Sequence, residues 1–446
     1  MADELIQQAL AQASDTAEML VGRGVIDEVG AVFQRAFPGA GAVVVADDNT
    51  FAVAGKQVHA QLHAAGAEVV EPYVYPGQPT LYAKHENVEP LCASLRDKPV
   101  IPVVVGAGTL NDLVKRAAFE LERPYMVVAT AASMDGYTAF GASLAVKGHK
   151  QTLECPAPRA VVADLDVLLD APAPMVASGY GDLLGKVTAG ADWMVADALG
   201  IEPIDATVWS LVQGPLMASL EGAAALRAGD PDAMVALVEG LLMSGLAMQA
   251  HQSSRPASGS EHQFSHLWEM EGLGRDLPVP LSHGFKVGVG SIAVAALYER
   301  ILEIDLQDLD IDARCATWPI RADMERTVRD AHPLLASMAV EQTLAKYLSR
   351  EDLAERLERL RGQWPVLREQ LRAQLVSPFE LREMLVDAGC PTHPEEIGLS
   401  LEELKASYAR AQMIRKRYTV LDLAVEAGVL DRCVEELFTA GGYWSG

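Results

Sequence analysis

Val100-Ile101-Pro102-Val103-Val104-Val105 runs directly into Gly106-Ala107-Gly108-Thr109-Leu110-Asn111-Asp112. A short β-branched apolar run closed by glycine reads as a strand buried on both faces. Residues 109–122 then carry a helical pattern. Strand, glycine turn and helix start together make the setting a phosphate requires. Glycine lets the backbone come close to the anion, and the unpaired N–H groups of the first helical turn point at it. The full G-x-G-x-x-G pattern is absent, because Asn111 stands at the third glycine, and the turn is not a Walker A loop. From its residues alone it is either a dinucleotide site or an ordinary strand-to-helix turn.

The same texture extends on both sides. Residues 42–46, 67–70, 125–129 and 159–162 read as further strands, and 55–65 and 87–96 as helices between them. Strand–helix–strand repetition predicts a parallel sheet with right-handed crossovers. Residues 138–150 are short, polar and glycine-containing and read as a hairpin. From about residue 173 the pattern turns helical, with long candidates at 211–227, 230–252 and 291–304. Ser377-Pro378-Phe379-Glu380 places Ser at the N-cap, Pro at the first helical position and Glu two residues later. Thr392-His393-Pro394-Glu395 and Ser400-Leu401-Glu402-Glu403 repeat that logic. The expectation is an α/β domain over 1–172 and an all-α domain over 173–446.

Half of the 446 residues are apolar, which suits a globular chain with a large core. Lys and Arg number 36 against 61 Asp and Glu, a net charge of −25. A surface so acidic repels phosphate backbones, so no nucleic-acid partner is expected, although a local pocket can still be positive. The five cysteines are scattered and contain no C-x-x-C, as in a chain kept reduced. The first residues are acidic and lack the apolar core of a signal peptide. The most apolar stretch, 234–250, falls short of the ~20 residues that cross a bilayer. A cytoplasmic protein without membrane insertion is expected.

Several residues could carry chemistry. Asp47 and Asp48 end an early strand, where an acid can accept hydrogen bonds from ribose hydroxyls. Ser133-Met134-Asp135-Gly136-Tyr137 follows another strand, at the end of the sheet where open α/β folds bind ligands. His262 and His266 are four apart and share a helix face, His283 opens a later helix, and Asp182 lies in Gly179-Tyr180-Gly181-Asp182. An aspartate with two imidazoles suits a catalytic divalent metal, but these residues are far apart in sequence, and single histidines are commonly structural. Gly288-Val289-Gly290-Ser291-Ile292-Ala293 matches the glycine fingerprint more closely, yet its helical setting predicts close helix packing instead. Arg415-Lys416-Arg417 reads as a solvated helix face.

GAGTLNDLVK (106–115), TAASMDGY (130–137), GYGDLLGK (179–186), SRPASGSEHQFSH (254–266) and HGFKVGVG (283–290) occur in this order. Together they closely resemble the sn-glycerol-1-phosphate dehydrogenases, particularly the bacterial AraM type. These belong to the superfamily of iron-type alcohol dehydrogenases, glycerol dehydrogenase and dehydroquinate synthase. The likeness covers about residues 20–290 and weakens beyond 305, where it is carried mainly by 413–423.

The resemblance implies a Rossmann-like first domain, a helical second domain in the dehydroquinate synthase-like arrangement, and a metal site between them. It implies Asp182, His262 and His283 as ligands of one divalent metal, nickel or zinc. Gly106, Ala107, Gly108, Thr109 and Leu110 would hold the dinucleotide pyrophosphate, and Asp47 the adenosine ribose. Thr130, Ala131, Ala132 and Ser133 would form a second cofactor-contacting turn. Asp135 and His266 would touch substrate, as would Asp182. Ala139 stands where the family usually has a serine that contacts cofactor. The implied reaction is reversible reduction of dihydroxyacetone phosphate to sn-glycerol 1-phosphate with NADH, or NADPH, in a homodimer. A glycerol dehydrogenase, a dehydroquinate synthase-like cyclase and a non-catalytic nucleotide- or metal-binding homologue are the alternatives. Lys147, Lys150 and Arg255 are candidates for the substrate phosphate.

Overall fold

The computed structural model describes residues 6, 9–11, 13–146, 149–275 and 277–445. Its first half is built on six parallel strands in the order β1-β8-β5-β4-β2-β3. They are β1 (Glu18–Gly22), β2 (Gly41–Asp47), β3 (Tyr73–Tyr75), β4 (Val100–Gly106), β5 (Met126–Ala129) and β8 (Ala160–Asp164). The short hairpin β6 (Ala142–Val146) and β7 (His149–Leu153) stands apart from the sheet.

The continuous apolar runs have the predicted cause. Val43, Val45, Val104, Val127 and Val161 belong to the core on one face, and Val44, Val103, Val105, Val128 and Val162 to the core on the other. A strand covered on both sides has no polar face to alternate with.

Two sheet expectations shift. The run at 67–70 forms only a single bridge, Val69 to Ala42, and the strand beside β2 is Tyr73–Tyr75. The edge strand β1 lacks a strong apolar signal and forms by pairing with β8 from Glu18↔Ala160 to Gly22↔Asp164.

The second half is helical. The stretch 211–227 divides into Ala206–Gln213, Leu216–Leu220 and Ala223–Arg227, interrupted at Gly214-Pro215 and again at Glu221-Gly222. Pro cannot donate to the preceding turn, and Gly222 adopts a left-handed conformation at φ 78°. Pro231–His251 is 21 residues long, enough by length and composition to cross a membrane, but it is largely buried in the core. Ser377 and Ser400 cap their helices as predicted, each bonded reciprocally to Glu380 and Glu403. His393 caps a short turn with Glu396.

The core on the outer face of the sheet is separate, whereas the other continues from Val104 and Val127 into Leu183, Val289 and Leu385. Ile6 and Ala9 pack with Trp193, Leu211 and Leu246 on the helical half.

Gly288 and Gly290 lie inside the helix His283–Glu303. A β-carbon on Gly290 would stand 2.7 Å from the Glu261 carbonyl. The better fingerprint match is therefore a close crossing of two helices, and that crossing positions the site.

Candidate metal and nucleotide cleft

Asp182 sits near the end of the helix Ala173–Leu184 and is fully buried. Its Oδ1 accepts from Lys186 Nζ at 2.7 Å, and its Oδ2 accepts from the Asp135 backbone N–H at 3.1 Å. Lys186 Nζ also lies 2.9 Å from Asp135 Oδ2, which accepts from Ser244 Oγ as well. One buried ammonium thus ties the loop after β5 to the helical half.

His262 stands in the first turn of the helix Ser260–Met270, and His283 is the first residue of His283–Glu303. Donor atoms of Asp182, His262 and His283 all lie within 4.8 Å of one another. His262 Nδ1 meets Glu261 Oε1 at 2.7 Å, and His283 Nδ1 meets Glu269 Oε1 at 2.9 Å. Each imidazole is therefore gripped from behind by a carboxylate, which leaves Nε2 as the ligand atom and raises its basicity. A carboxylate and two such nitrogens fit a divalent ion with open positions for substrate. His266, Glu269 and His283 form an overlapping group of the same kind, and the His266 ring stacks on that of His283 with centroids 5.7 Å apart.

Electrostatics favour this arrangement. Burial pushes the Asp182 carboxyl upward, but Lys186 and the two imidazoles overrule it and hold the group well below the usual carboxylate range. Burial likewise opposes the charged form of Lys186, and Asp135 and Asp182 more than restore it. Behind the site, burial and the Glu261 charge push Asp192 up to about 6. Asp192 accepts from Ser260 N, Ser260 Oγ, Tyr298 Oη and Val420 N, all within 2.8 Å. It fixes the start of the helix that carries His262.

Asp182, His262, His266, Glu269 and His283 border a cleft of about 610 Å³. Ala107, Gly108 and Thr109 line its sheet side, together with Ser133 and Asp135. Leu110 is packed beneath the turn, and Thr130, Ala131 and Ala132 are buried behind Ser133. Asp47 does not line the cleft, and its Oδ1 caps a short turn by accepting from Thr50 N at 2.8 Å. It is nonetheless level with the glycine turn: Val45 pairs with Val104, so Asp47 and Gly106 stand side by side two residues further along parallel strands. Ala139 borders the cleft, and its carbonyl accepts from Lys115 Nζ. Lys115 also bonds the Gly136 and Gly141 carbonyls and braces the whole loop.

A hydrogen-bonded relay joins the nucleotide side to the metal side. Ser178 Oγ donates to the Ser133 carbonyl at 3.1 Å and accepts from Gly284 N at 3.2 Å. A β-carbon on Gly284 would stand 1.8 Å from the Ser178 carbonyl, so only glycine allows this approach beside His283.

Two expectations about cations change, those at Arg255 and at Arg415 to Arg417. Arg255 is buried and committed to the Tyr418 and Asp192 carbonyls at 2.9 and 2.7 Å. Lys147 and the Lys150 side chain lie outside the described residues. Arg415 and Arg417 are not on a solvated helix face: the helix ends at Gln412, Arg415 borders the cleft, and Arg417 donates to the Ser258 and Ser254 carbonyls. Sequence reasoning passed over Lys186, Glu261 and Glu269. The four-residue step from Asp182 to Lys186 was a usable signal, whereas Glu261 and Glu269 had none beyond proximity to histidine.

A parallel sheet with a glycine turn thus faces helices that bring one carboxylate and two imidazoles together. Residues 20–172 match the family model described as iron-containing alcohol dehydrogenase. The glycerol-1-phosphate dehydrogenase (NAD(P)+) of Geobacillus stearothermophilus is 30% identical over 380 residues, covering 85% of this chain and 85% of that one. That of Halalkalibacterium halodurans is 39% identical over 258 residues, spanning 58% of this chain and 64% of the relative. The chain belongs to the NAD(P)-dependent glycerol-1-phosphate dehydrogenase family. Among solved structures, a probable glycerol dehydrogenase from Sinorhizobium meliloti shares the fold with a TM-score of 0.61 at 15% identity, covering 94% of this chain and 98% of that one. The expected α/β plus all-α architecture stands, and the glycerol dehydrogenase and dehydroquinate synthase alternatives recede behind the family assignment.

Proposed function

We propose that the protein reduces dihydroxyacetone phosphate reversibly to sn-glycerol 1-phosphate with NADH, NADPH being the lesser cofactor, and that Asp182, His262 and His283 hold one nickel or zinc ion. The observation that carries this reading is the meeting of those three donor atoms within 4.8 Å in the same cleft as the Gly108 turn. A divalent ion held there would supply Lewis acidity at the ketone oxygen, and bound NAD(P)H the hydride.

The chain's residues do the rest. The N–H groups of Gly106 to Leu110 bind pyrophosphate, Asp47 holds the adenosine ribose, and the turn from Thr130 to Ser133 backs the nicotinamide half. Asp135, fixed by Lys186 and Ser244, orients the substrate hydroxyl. His266 carries the proton that the product oxygen takes up. Residues 1–172 act as the nucleotide domain and 173–446 as the metal and substrate domain, in a cytoplasmic homodimer.

The test is a steady-state assay of NADH oxidation with dihydroxyacetone phosphate, followed by chelation and return of nickel or zinc. Activity lost with the metal and restored by either ion is expected. Turnover of free glycerol but not of the phosphorylated ketone would overturn the substrate, and chelator-resistant activity would overturn the metal.

A further inference from the structure

The cleft must receive a phosphate dianion on a chain of net charge −25, so a local cation is needed. Among the described residues bordering it, the permanent cations are Lys286 and Arg415. Lys286 is engaged: its Nζ donates to the Leu281 carbonyl at 3.1 Å and lies 3.3 Å from Glu269 Oε1. Arg415 makes no hydrogen bond or ion pair with any described residue, although it is partly buried.

The backbone that presents Arg415 is held on both sides. Lys416 N donates to Gln342 Oε1 at 3.0 Å, the Arg417 carbonyl accepts from Gln263 Nε2 at 3.1 Å, and the Arg417 guanidinium clamps the Ser258 carbonyl at 2.7 Å. Gln263 is the neighbour of His262, so the clamp joins the Arg415 segment to the helix that bears a candidate metal ligand. Ser258 itself borders the cleft, and its buried hydroxyl has no hydrogen-bond partner among the described residues. Burial pulls the Arg415 guanidinium down to about 10, with Glu269 and Glu261 opposing, so it stays charged at neutral pH. A rigidly presented, uncommitted guanidinium is the group best matched to a phosphate, which it can grip through two parallel N–H bonds.

We propose that Arg415 binds the phosphate of the substrate and sets the preference for a phosphorylated ketone over a free one, a role that rests on the reaction proposed above. The phosphate ester is carried on the carbon next to the ketone, so its anchor must face the same cleft as the metal ligands, as Arg415 does.

The test compares native enzyme, Arg415→Ala and Arg415→Lys in the metal-loaded state. KM and kcat are measured for dihydroxyacetone phosphate and for dihydroxyacetone, and inorganic phosphate is titrated calorimetrically. In Arg415→Ala, KM for the phosphorylated ketone is expected to rise roughly 10- to 150-fold, the worth of a charge-assisted hydrogen bond. KM for NADH and kcat/KM for dihydroxyacetone stay unchanged, phosphate affinity falls, and the lysine variant recovers part of the loss. Equal losses on both ketones, an unchanged KM, or phosphate binding that is absent from the native enzyme or equal in native and alanine forms would overturn the proposal. If the native enzyme turns over neither ketone, the reaction proposed above fails, and the phosphate titration alone decides whether Arg415 forms an anion site.

Discussion

Lys186 Nζ lies 2.7 Å from Asp182 Oδ1, one helical turn back along the chain, and the same ammonium reaches Asp135 on the nucleotide side of the cleft. Neither Lys186 nor Asp182 has exposed surface, so each stays charged only because opposite charges face it where water is excluded, Asp135 and Asp182 around the ammonium and Lys186 with two imidazoles around the carboxylate. The loop that bears Asp135 is thereby fixed to the helix that bears Asp182, and Asp182 stays ionised.

Replacing Lys186 by Met would leave two carboxylates without their cation. The expected cost is about 3–5 kcal/mol of folding stability, the usual penalty for removing one member of a buried ion pair. Denaturant unfolding of the chelated protein measures it. A difference below about 1 kcal/mol, typical of surface substitutions, would show that the pair does not hold the cleft together.

Glu269 fixes the ring of His283 through Nδ1. Glu269→Gln keeps the shape and removes the charge, and metal affinity should fall roughly 10- to 100-fold, as for other carboxylates behind a ligating histidine. Competition with a chromophoric chelator reads the affinity directly. His262→Ala and His283→Ala should lose the metal while the chain remains folded, and full metal content in either would refute the ligand set.

Asp47 lies beside the glycine turn on the neighbouring strand, and its side chain caps Thr50. Asp47→Asn retains a competent cap while removing the negative charge. NADH should bind roughly 10-fold or more weakly, the value of a hydrogen bond to a charged group, with a smaller change for NADPH. Fluorescence titration of both cofactors provides the comparison, and parallel changes would remove Asp47 from the ribose site.

Glu426 is buried within the helical half and accepts from Arg356 Nη1 and Tyr418 Oη, both at 2.7 Å. Burial pushes its carboxyl up to about 7 from an ordinary 4.5, against the pull of Arg356. The folded chain then holds this proton more tightly than the unfolded chain. The resulting stability is complete below about pH 4.5 and is lost as pH rises through 7, by up to about 3 kcal/mol. Glu426→Gln mimics the protonated group, so its stability relative to the native chain should grow between pH 5 and 8. Unfolding midpoints across that range check the sign, and a pH-independent difference would show that Glu426 does not titrate there.

Much of the fold is legible because burial leaves a local signature. β2 and β4 needed nothing beyond their own apolar runs, since strands covered on both faces must be apolar throughout. The helices begun by Ser377 and Ser400 announce themselves through reciprocal caps spanning three residues. Tyr73–Tyr75 and β1 did not, because an edge strand is chosen by its partner and register rather than by its own pattern. The helix expected at 211–227 failed at Gly214-Pro215, where apolar periodicity outweighed two residues that interrupt a helix.

Local chemistry alone therefore specified a parallel sheet, its glycine turn and the kinds of residue a metal would need, because spacing along one strand or helix is a short-range property. Only the folded chain decided that Asp182, His262 and His283 share a point, that Glu261 and Glu269 stand behind the imidazoles, and that Arg415 turns toward the cleft. Those contacts join elements far apart along the chain. They depend on how closely helices can cross at Gly284 and Gly290, and that distance is set by packing rather than by any neighbour in sequence.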